Sequence, residues 1–190
     1  MATAPVPRLT EEEYLRIERE AQTKSEFFDG QMFAMSGGSL NHSFIASRLI
    51  AIFDRQVSGS CRVSTSDLRI HIPAFKTYTY PDCLILCGEP QLVSDQKDNL
   101  LNPMLIVEVL SPSSEAYDRG KKFEMYRSIA SLREYLLIHQ DRRHVEHYSR
   151  QEEDSWLLRE CFGSEATVSI ARLSVEISLA ELYATAVNLD

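Results

Sequence analysis

The sequence predicts a single α/β domain, residues 1–190, in which helices flank a central mixed β-sheet. Helical periodicities and strand-like runs alternate along the chain, and two of the apolar runs are continuous enough to be strands buried on both faces. No repeat, low-complexity tract or linker divides the 190 residues. A chain of this length can bury the core of one domain and is short for two.

The composition is that of a soluble globular protein, with 44% hydrophobic and 25% charged residues. No apolar run approaches the ~18 residues of a membrane helix, and no secretory signal opens the chain, so no membrane association is expected. The four cysteines lack metal-site or disulfide-framework spacing, which predicts reduced thiols and a cytoplasmic protein. The formal net charge of −8 argues against a surface for tight, non-specific nucleic-acid binding but leaves room for a local basic cleft.

The first third of the chain predicts a helix, a hairpin and a second helix. Thr10 and Glu13 form a capping box for the first helix, and Asp29-Gly30 is typical of a hairpin turn. Ser39 or Asn41 can cap the second helix, residues 41–57. Apolar residues at helical spacing turn one face of that helix to the core: Phe44, Ile45, Leu49, Ile52 and Phe53.

Strands dominate the rest of the chain. A break at Ser111-Pro112 precedes a predicted helix within residues 113–130, whose first residue several capping candidates leave open. Ser178 and Glu181 form a capping box for a C-terminal helix, residues 179–187. The predicted strands cover residues 61–72, 77–87, 103–110, 133–140, 143–150 and 156–163, and a polar connection spans residues 88–102.

Two carboxylates stand where a buried strand should be apolar. Asp82 directly precedes the run Cys83–Cys87, and Glu108 lies within LIVEVL, residues 105–110. Burying an unpaired carboxylate costs several kcal/mol, roughly, unless a cation or a metal compensates its charge. On neighbouring strands, the two side chains would form one anionic pocket of hard oxygen ligands, which suits Mg²⁺ or Mn²⁺ better than zinc.

The following helix supplies a cation. Positions 119, 122, 123, 126, 129 and 130 recur at helical spacing and form the stripe that faces the core, so Lys122 points inward while Lys121 is turned about 100° away. Asp118 lies four residues before Lys122 and can pair with it. Two carboxylates and a lysine are the groups required for metal-assisted attack of water on a phosphodiester.

The chain contains three motifs in order, YPDCLIL, LIVEVLSPSS and YDRGKKFEMYRSI, followed by EYLLIHQ. In the order of these motifs, the chain resembles the Uma2-type (DUF820) family. SEFFDGQM and NHSFIASRLI resemble that family's first hairpin and first core helix. The resemblance extends from about Leu9 to about Glu181. It implies a restriction endonuclease-like core of the PD-(D/E)xK superfamily, with an added N-terminal helix and hairpin.

By this resemblance, Asp82 and Glu108 are the metal-binding acids. The superfamily lysine would stand at residue 110, which is Leu110, and the resemblance shifts that role to Lys122. We therefore predict a Mg²⁺- or Mn²⁺-dependent endonuclease acting on DNA, with a homodimer as one arrangement for cutting both strands. The alternative is a nuclease-fold module with little or no turnover that binds nucleic acid or protein, and a hydrolase of small phosphoesters is a third hypothesis.

Each assignment has a simpler structural alternative. Asp82 can cap the turn after Pro81, Glu108 can face solvent from a half-exposed sheet, and Lys122 can extend along the surface. His42 is either an accessory group of the site or a helix-terminal histidine bonded to backbone.

Other polar residues are weaker candidates. Glu26 is an auxiliary candidate at the first hairpin, and Asp67 is better explained as an ordinary polar strand residue. His144 and His147 should point to opposite faces of their strand, which disfavours joint metal ligation. Arginines and lysines form two short basic clusters, Arg142-Arg143 and Arg119 with Lys121. Each cluster can either contact phosphates or simply lie in a solvated turn, and the second explanation is nearly as good.

Overall fold

The computed structural model describes residues 8–93 and 97–189. Its helices are α1 (Glu11–Glu20), α2 (Leu40–Gln56), α3 (Glu115–Tyr117), α4 (Phe123–Tyr126) and α5 (Leu179–Leu182). Its strands are β1 (Ser25–Phe28), β2 (Gln31–Ala34), β3 (Cys61–Thr65), β4 (Arg69–Ile72), β5 (Thr77–Thr79), β6 (Cys83–Cys87), β7 (Asn99–Leu100), β8 (Pro103–Leu110), β9 (Glu134–His139), β10 (His144–Arg150), β11 (Trp156–Phe162), β12 (Thr167–Ile170) and β13 (Val175–Ser178). Among the described residues, no helix combines the length and apolar character needed to cross a bilayer.

The strands form two mixed sheets and a separate hairpin, flanked by helices. The six-stranded sheet has the order β11-β10-β9-β8-β6-β3, in which β8 and β9 are parallel and the other neighbours antiparallel. The five-stranded sheet has the order β2-β1-β5-β4-β7. This confirms the predicted α/β class with mixed β-structure, but the strands divide between two sheets.

Strand β8 is buried on both faces, as its continuous apolar run predicts. Val107 and Val109 face a core that includes α2, α5 and the β12–β13 hairpin. Ile106 and Leu110 face the opposite core, which lies beneath α4 and the five-stranded sheet. Because side chains alternate along a strand, Glu108 shares the second face with Ile106 and Leu110. The acid therefore points toward the layer that carries the helix after Ser111-Pro112.

The helical segment after β8 is shorter than predicted and contains one wide turn. Between α3 and α4, the residues Asp118–Lys122 form a π-helical turn, and α4 ends at Tyr126. The exposed position of Ala130 corrects its assignment to the inward stripe, because the chain has left the helix by then. Asp118 and Lys122 are both buried.

Several local predictions differ from the structure. Residues 61–72 and 77–87 each break into two strands that enter different sheets, and residues 167–178 form the unpredicted β12–β13 hairpin. Helix α5 is a single turn in which the Ser178 side chain makes no capping bond, so the second capping box is wrong. Thr10 and Glu13 do form the first box. Of the connection 88–102, residues 94–96 lie outside the described residues.

The cysteines also depart from prediction. The antiparallel register of β3 and β6 places Cys61 directly opposite Cys87, and the two form a disulfide. Cys83, which is buried, and Cys161 are free thiols. The expectation of four reduced thiols is therefore wrong for one pair, because spacing along the sequence does not reveal which residues stand opposite each other on paired strands.

Candidate active site

Glu108 is held in place by two donors from the helical segment. Glu108 is 4% exposed, and its Oε1 accepts a hydrogen bond of 2.7 Å from the Tyr126 hydroxyl. The Lys122 Nζ lies 3.0 Å from the same oxygen. Burial raises the pKa of the Glu108 carboxyl well above its usual value, although Lys122 acts in the opposite direction. The solvent-facing alternative for Glu108 is wrong.

Asp82 lies beside Glu108 because β6 pairs antiparallel with β8, with Cys83 opposite Val107. The Asp82 Oδ2 accepts a hydrogen bond of 2.7 Å from the Val109 backbone N–H and lies 3.2 Å from the His42 Nε2. The side chain thus bridges β8 and the first turn of α2. The hydrogen bond between His42 and Asp82 raises the pKa of the His42 imidazole.

His42 has the position of an accessory group. Ser39, the residue before α2, accepts a hydrogen bond of 3.1 Å from the His42 backbone N–H, which satisfies the helix terminus. The imidazole remains available for Asp82. The backbone-bonded interpretation of His42 is therefore confirmed, and the accessory role stays a prediction that the contact of the ring with Asp82 supports.

Lys122 points inward, as the helical spacing predicts. Its Nζ lies 3.0 Å from Glu108 Oε1, 3.1 Å from Glu26 Oε1 and 3.6 Å from Asp118 Oδ1. Burial opposes the charged ammonium, but the surrounding carboxylates outweigh it and raise the pKa of Lys122 well above its usual value. Lys121 is instead partly exposed and pairs with Glu124 on the surface. The surface-lysine alternative for Lys122 is wrong.

Glu26 is the residue whose place in the site the sequence underestimated. It lies on β1 of the five-stranded sheet, and its side chain is only 14% exposed and pairs with Lys122. It also accepts a hydrogen bond of 3.4 Å from the Tyr80 backbone N–H. Glu26 therefore links the five-stranded sheet to the helical segment that carries Lys122. The one sequence signal for it was its resemblance to a family motif position.

The assembled site carries an excess of negative charge. Asp82, Glu108, Glu26, Asp118, Lys122 and His42 all line one cleft of about 380 Å³. Burial raises the pKa of the Asp118 carboxyl as well as that of Glu108, as expected where carboxylates outnumber cations. A bound divalent cation would compensate this charge, as buried carboxylates require.

The donor set fits a hard cation. Asp82 and Glu108 approach from adjoining strands, and Mg²⁺ characteristically takes one or two carboxylates and retains several waters. Within the described part of the chain, the only three-residue group of close ligand atoms lies elsewhere, at His139, His144 and Glu146. Two carboxylates with water and substrate oxygens are therefore the set available here, which suits Mg²⁺ or Mn²⁺ and not zinc.

The weaker candidates lie outside this cleft. Asp67 pairs with Lys24 at 2.5 Å and its side chain is 82% exposed, so it is an ordinary polar residue, but it lies in the turn between β3 and β4 and not in a strand as predicted. His144 contacts Glu160 and His147 contacts Glu134, from opposite faces of β10. Arg119 binds Glu115 and Glu146, and Arg142 lies beside Asp141.

Known proteins resemble this chain along most of its length. The model of the Uma2 family, described as "Putative restriction endonuclease", matches residues 11–181. An uncharacterized protein of Synechocystis sp. is 42% identical over 157 residues, which cover 82% of each chain. A second uncharacterized Synechocystis sp. protein is 38% identical over 180 residues, or 92% of this chain and 99% of the other.

A solved structure shares the fold. The crystal structure of a putative nuclease belonging to DUF820, from Anabaena variabilis, superposes with a TM-score of 0.75 at 20% identity. The match covers 93% of this chain and 98% of the other. At this level of identity, the likeness shows a common fold.

Proposed function

Because the chain belongs to the Uma2 family, we propose that it is a nuclease that hydrolyses phosphodiester bonds in DNA with Mg²⁺ or Mn²⁺ bound by Asp82 and Glu108. The observation that carries the proposal is the buried cluster in which Lys122 lies 3.0–3.6 Å from three carboxylates and shares one cleft with Asp82. A buried anionic pocket with a single lysine supplies ligands for a divalent cation and a donor for a phosphate oxygen.

The two acids have defined supports. Glu108 is oriented by the Tyr126 hydroxyl, which is itself 2.9 Å from the Thr79 hydroxyl. Asp82 is oriented by the Val109 N–H and by His42. Fixed ligands need little rearrangement during the reaction, which lowers the barrier to the chemical step. When bound, Mg²⁺ or Mn²⁺ supplies Lewis-acid polarisation of the phosphoryl group and a more acidic water.

Lys122 acts from the helical segment in place of a strand lysine. Its ammonium, kept charged by Glu108 and Glu26, would donate a hydrogen bond to the scissile phosphate or to the attacking water and stabilise developing negative charge. Leu110, where the superfamily places its lysine, is instead buried in the apolar core. The position of Lys122 one layer above Glu108 compensates for that departure.

A second candidate function is a binding module with little or no turnover. Leu110 at the superfamily lysine position and the net charge of −8 favour it. A hydrolase of small phosphoesters is the third candidate, and it would use the same site.

We include a homodimer and a cytoplasmic location in the proposal, although the Cys61–Cys87 disulfide removes the support that reduced thiols would have given to that location. A two-fold dimer presents two sites to the two strands of a duplex. Sedimentation of the purified protein at micromolar concentration tests the dimer, and a monomer mass under all conditions contradicts it.

One substrate panel separates the three functions. The purified protein is incubated with Mg²⁺, with Mn²⁺ or with EDTA, and with duplex DNA, single-stranded DNA, RNA or a nitrophenyl phosphodiester. The proposal predicts cleavage of DNA that EDTA abolishes. Nucleic acid that shifts in a gel but stays uncut identifies a module, and turnover of the nitrophenyl ester alone identifies a small-phosphoester hydrolase. Cleavage of RNA and not DNA contradicts the proposed substrate.

A further inference from the structure

A second group of metal-ligand side chains lies at the turn end of the β9–β10 hairpin. His139 is the last residue of β9, and His144 and Glu146, two residues apart on β10, point to the same face of that strand. All three are at least 94% buried, and one ligand atom of each lies within 4.8 Å of the other two. Two imidazoles and one carboxylate are the set that zinc uses in open, catalytic-type sites.

Both histidines have a carboxylate near one ring nitrogen. His144 Nε2 lies 3.0 Å from Glu160 Oε1, and His139 Nδ1 lies 3.7 Å from Asp141 Oδ1. The His144–Glu160 contact is typical of ligating histidines, in which an acid on one nitrogen fixes the tautomer and leaves the other nitrogen for the metal, whereas 3.7 Å is too long for a hydrogen bond at His139. The Tyr148 hydroxyl donates to Glu146 Oε2 at 3.0 Å and so leaves Oε1 for coordination.

One buried polar atom of the group lacks a partner. His144 is only 6% exposed, so its Nδ1 is shielded from solvent. Within residues 8–93 and 97–189, this nitrogen has no hydrogen-bond partner. A buried, unpaired ring nitrogen destabilises the folded protein.

The guanidinium of Arg119 supplies the positive charge in this cluster that a metal ion would otherwise supply. It contacts Glu146 Oε1, and its Nη2 lies 2.9 Å from His139 Nε2. Its side chain is 30% exposed, and its Nε bonds to Glu115 at 3.0 Å on the outer side. Arg119 can therefore turn toward Glu115 and solvent when another cation enters.

We propose that His139, His144 and Glu146 form a transition-metal site of the zinc class, separate from Asp82 and Glu108, for which Arg119 competes. An ion about 2.0–2.1 Å from each ligand draws the ligand atoms to roughly 3.3 Å apart. The cluster therefore contracts on binding. Because the His139 and His144 rings are stacked, with centroids 4.3 Å apart and planes 12° apart, one ring must also turn so that both in-plane lone pairs face the ion. His139 also borders a neighbouring cavity of about 610 Å³, which offers an entry path.

Cobalt tests this site, because Co²⁺ takes zinc positions and absorbs visible light. Metal-free protein is titrated with Co²⁺ in excess Mg²⁺, which occupies the carboxylate pocket. We expect a visible band from one Co²⁺, displaced by Zn²⁺ and lost in His144→Ala and His139→Asn. His147→Gln, a buried histidine on the opposite face of β10, serves as the matched control and keeps the band. Arg119→Gln should bind Co²⁺ at least about tenfold more tightly.

Two results would overturn the proposal. One is a Co²⁺ band that persists in both His144→Ala and His139→Asn, and the other is the absence of any band in both the wild type and Arg119→Gln. If a histidine variant does not fold, the wild-type imidazole NMR signals decide. Zn²⁺ must then shift those of His139 and His144 and leave His147 unchanged, and any other pattern contradicts the site.

Discussion

Replacing Lys122 by methionine is expected to lower the free energy of unfolding by about 3–5 kcal/mol, the usual cost of removing one partner from a buried ion pair. The ammonium is the cation shared by Glu108, Glu26 and Asp118, and methionine leaves two buried carboxylates and the partly buried Glu26 without it. Urea unfolding in EDTA measures the change. Nucleic-acid cleavage should also be lost in any Lys122→Met protein that folds.

The loss of stability should depend on pH. Burial raises the pKa of Glu108 and Asp118 in the folded protein, and loss of the ammonium, which lowers it, raises it further, so protonation of these two carboxyls favours the folded state. The destabilisation should therefore be smaller at pH 5 than at pH 8. Lys121→Met, which changes the neighbouring, partly exposed lysine, is the control and should stay within about 0.5 kcal/mol of the wild type. Equal losses in the two variants would contradict the buried role of Lys122.

Replacing Asp82 by asparagine should reduce the metal-dependent cleavage rate at least about a thousandfold. Metal ions supply several kcal/mol of transition-state stabilisation, roughly, and about 1.4 kcal/mol corresponds to a factor of ten. Asparagine preserves the shape and an acceptor for the Val109 N–H, so the fold should persist. Single-turnover cleavage under saturating protein measures the loss.

The same variant carries a second readout at His42. Because the hydrogen bond to Asp82 raises the pKa of His42, that pKa should fall in Asp82→Asn. An NMR titration of the imidazole detects the change. Asp67→Asn, at an exposed aspartate, is the matched control and should alter neither cleavage nor the His42 titration. An unchanged His42 pKa would contradict the proposed contact.

The central residues of the candidate site could be predicted from two local patterns in the sequence, one of a strand and one of a helix. An apolar run without alternation predicted that β8 is buried on both faces, and this made Glu108 conspicuous. Helical spacing then selected Lys122 over Lys121. Both inferences use contacts within one element, where the geometry is fixed by the backbone.

Contacts between distant segments were harder to predict. Glu26, on the five-stranded sheet, pairs with Lys122 of the distant helical segment, and the sheet division itself depends on chain breaks after Thr65 and Thr79. The pairing of Cys61 with Cys87 depends on strand register. Tyr126 was assigned to the inward stripe, yet only the three-dimensional packing shows its hydroxyl bonded to Glu108. Long-range register and layer order are not encoded in local spacing.

The most direct test of the account is the cleavage rate of Glu108→Gln against the wild type. Both proteins are assayed with the same DNA under single-turnover conditions in Mg²⁺ and in Mn²⁺, after circular dichroism has shown that both are folded. Glutamine keeps the side-chain volume and removes the charge that the metal requires. The account predicts metal-dependent cleavage by the wild type and a rate at least about a thousandfold lower in Glu108→Gln. Equal rates in the two proteins, or no cleavage by the wild type in either metal, would contradict it.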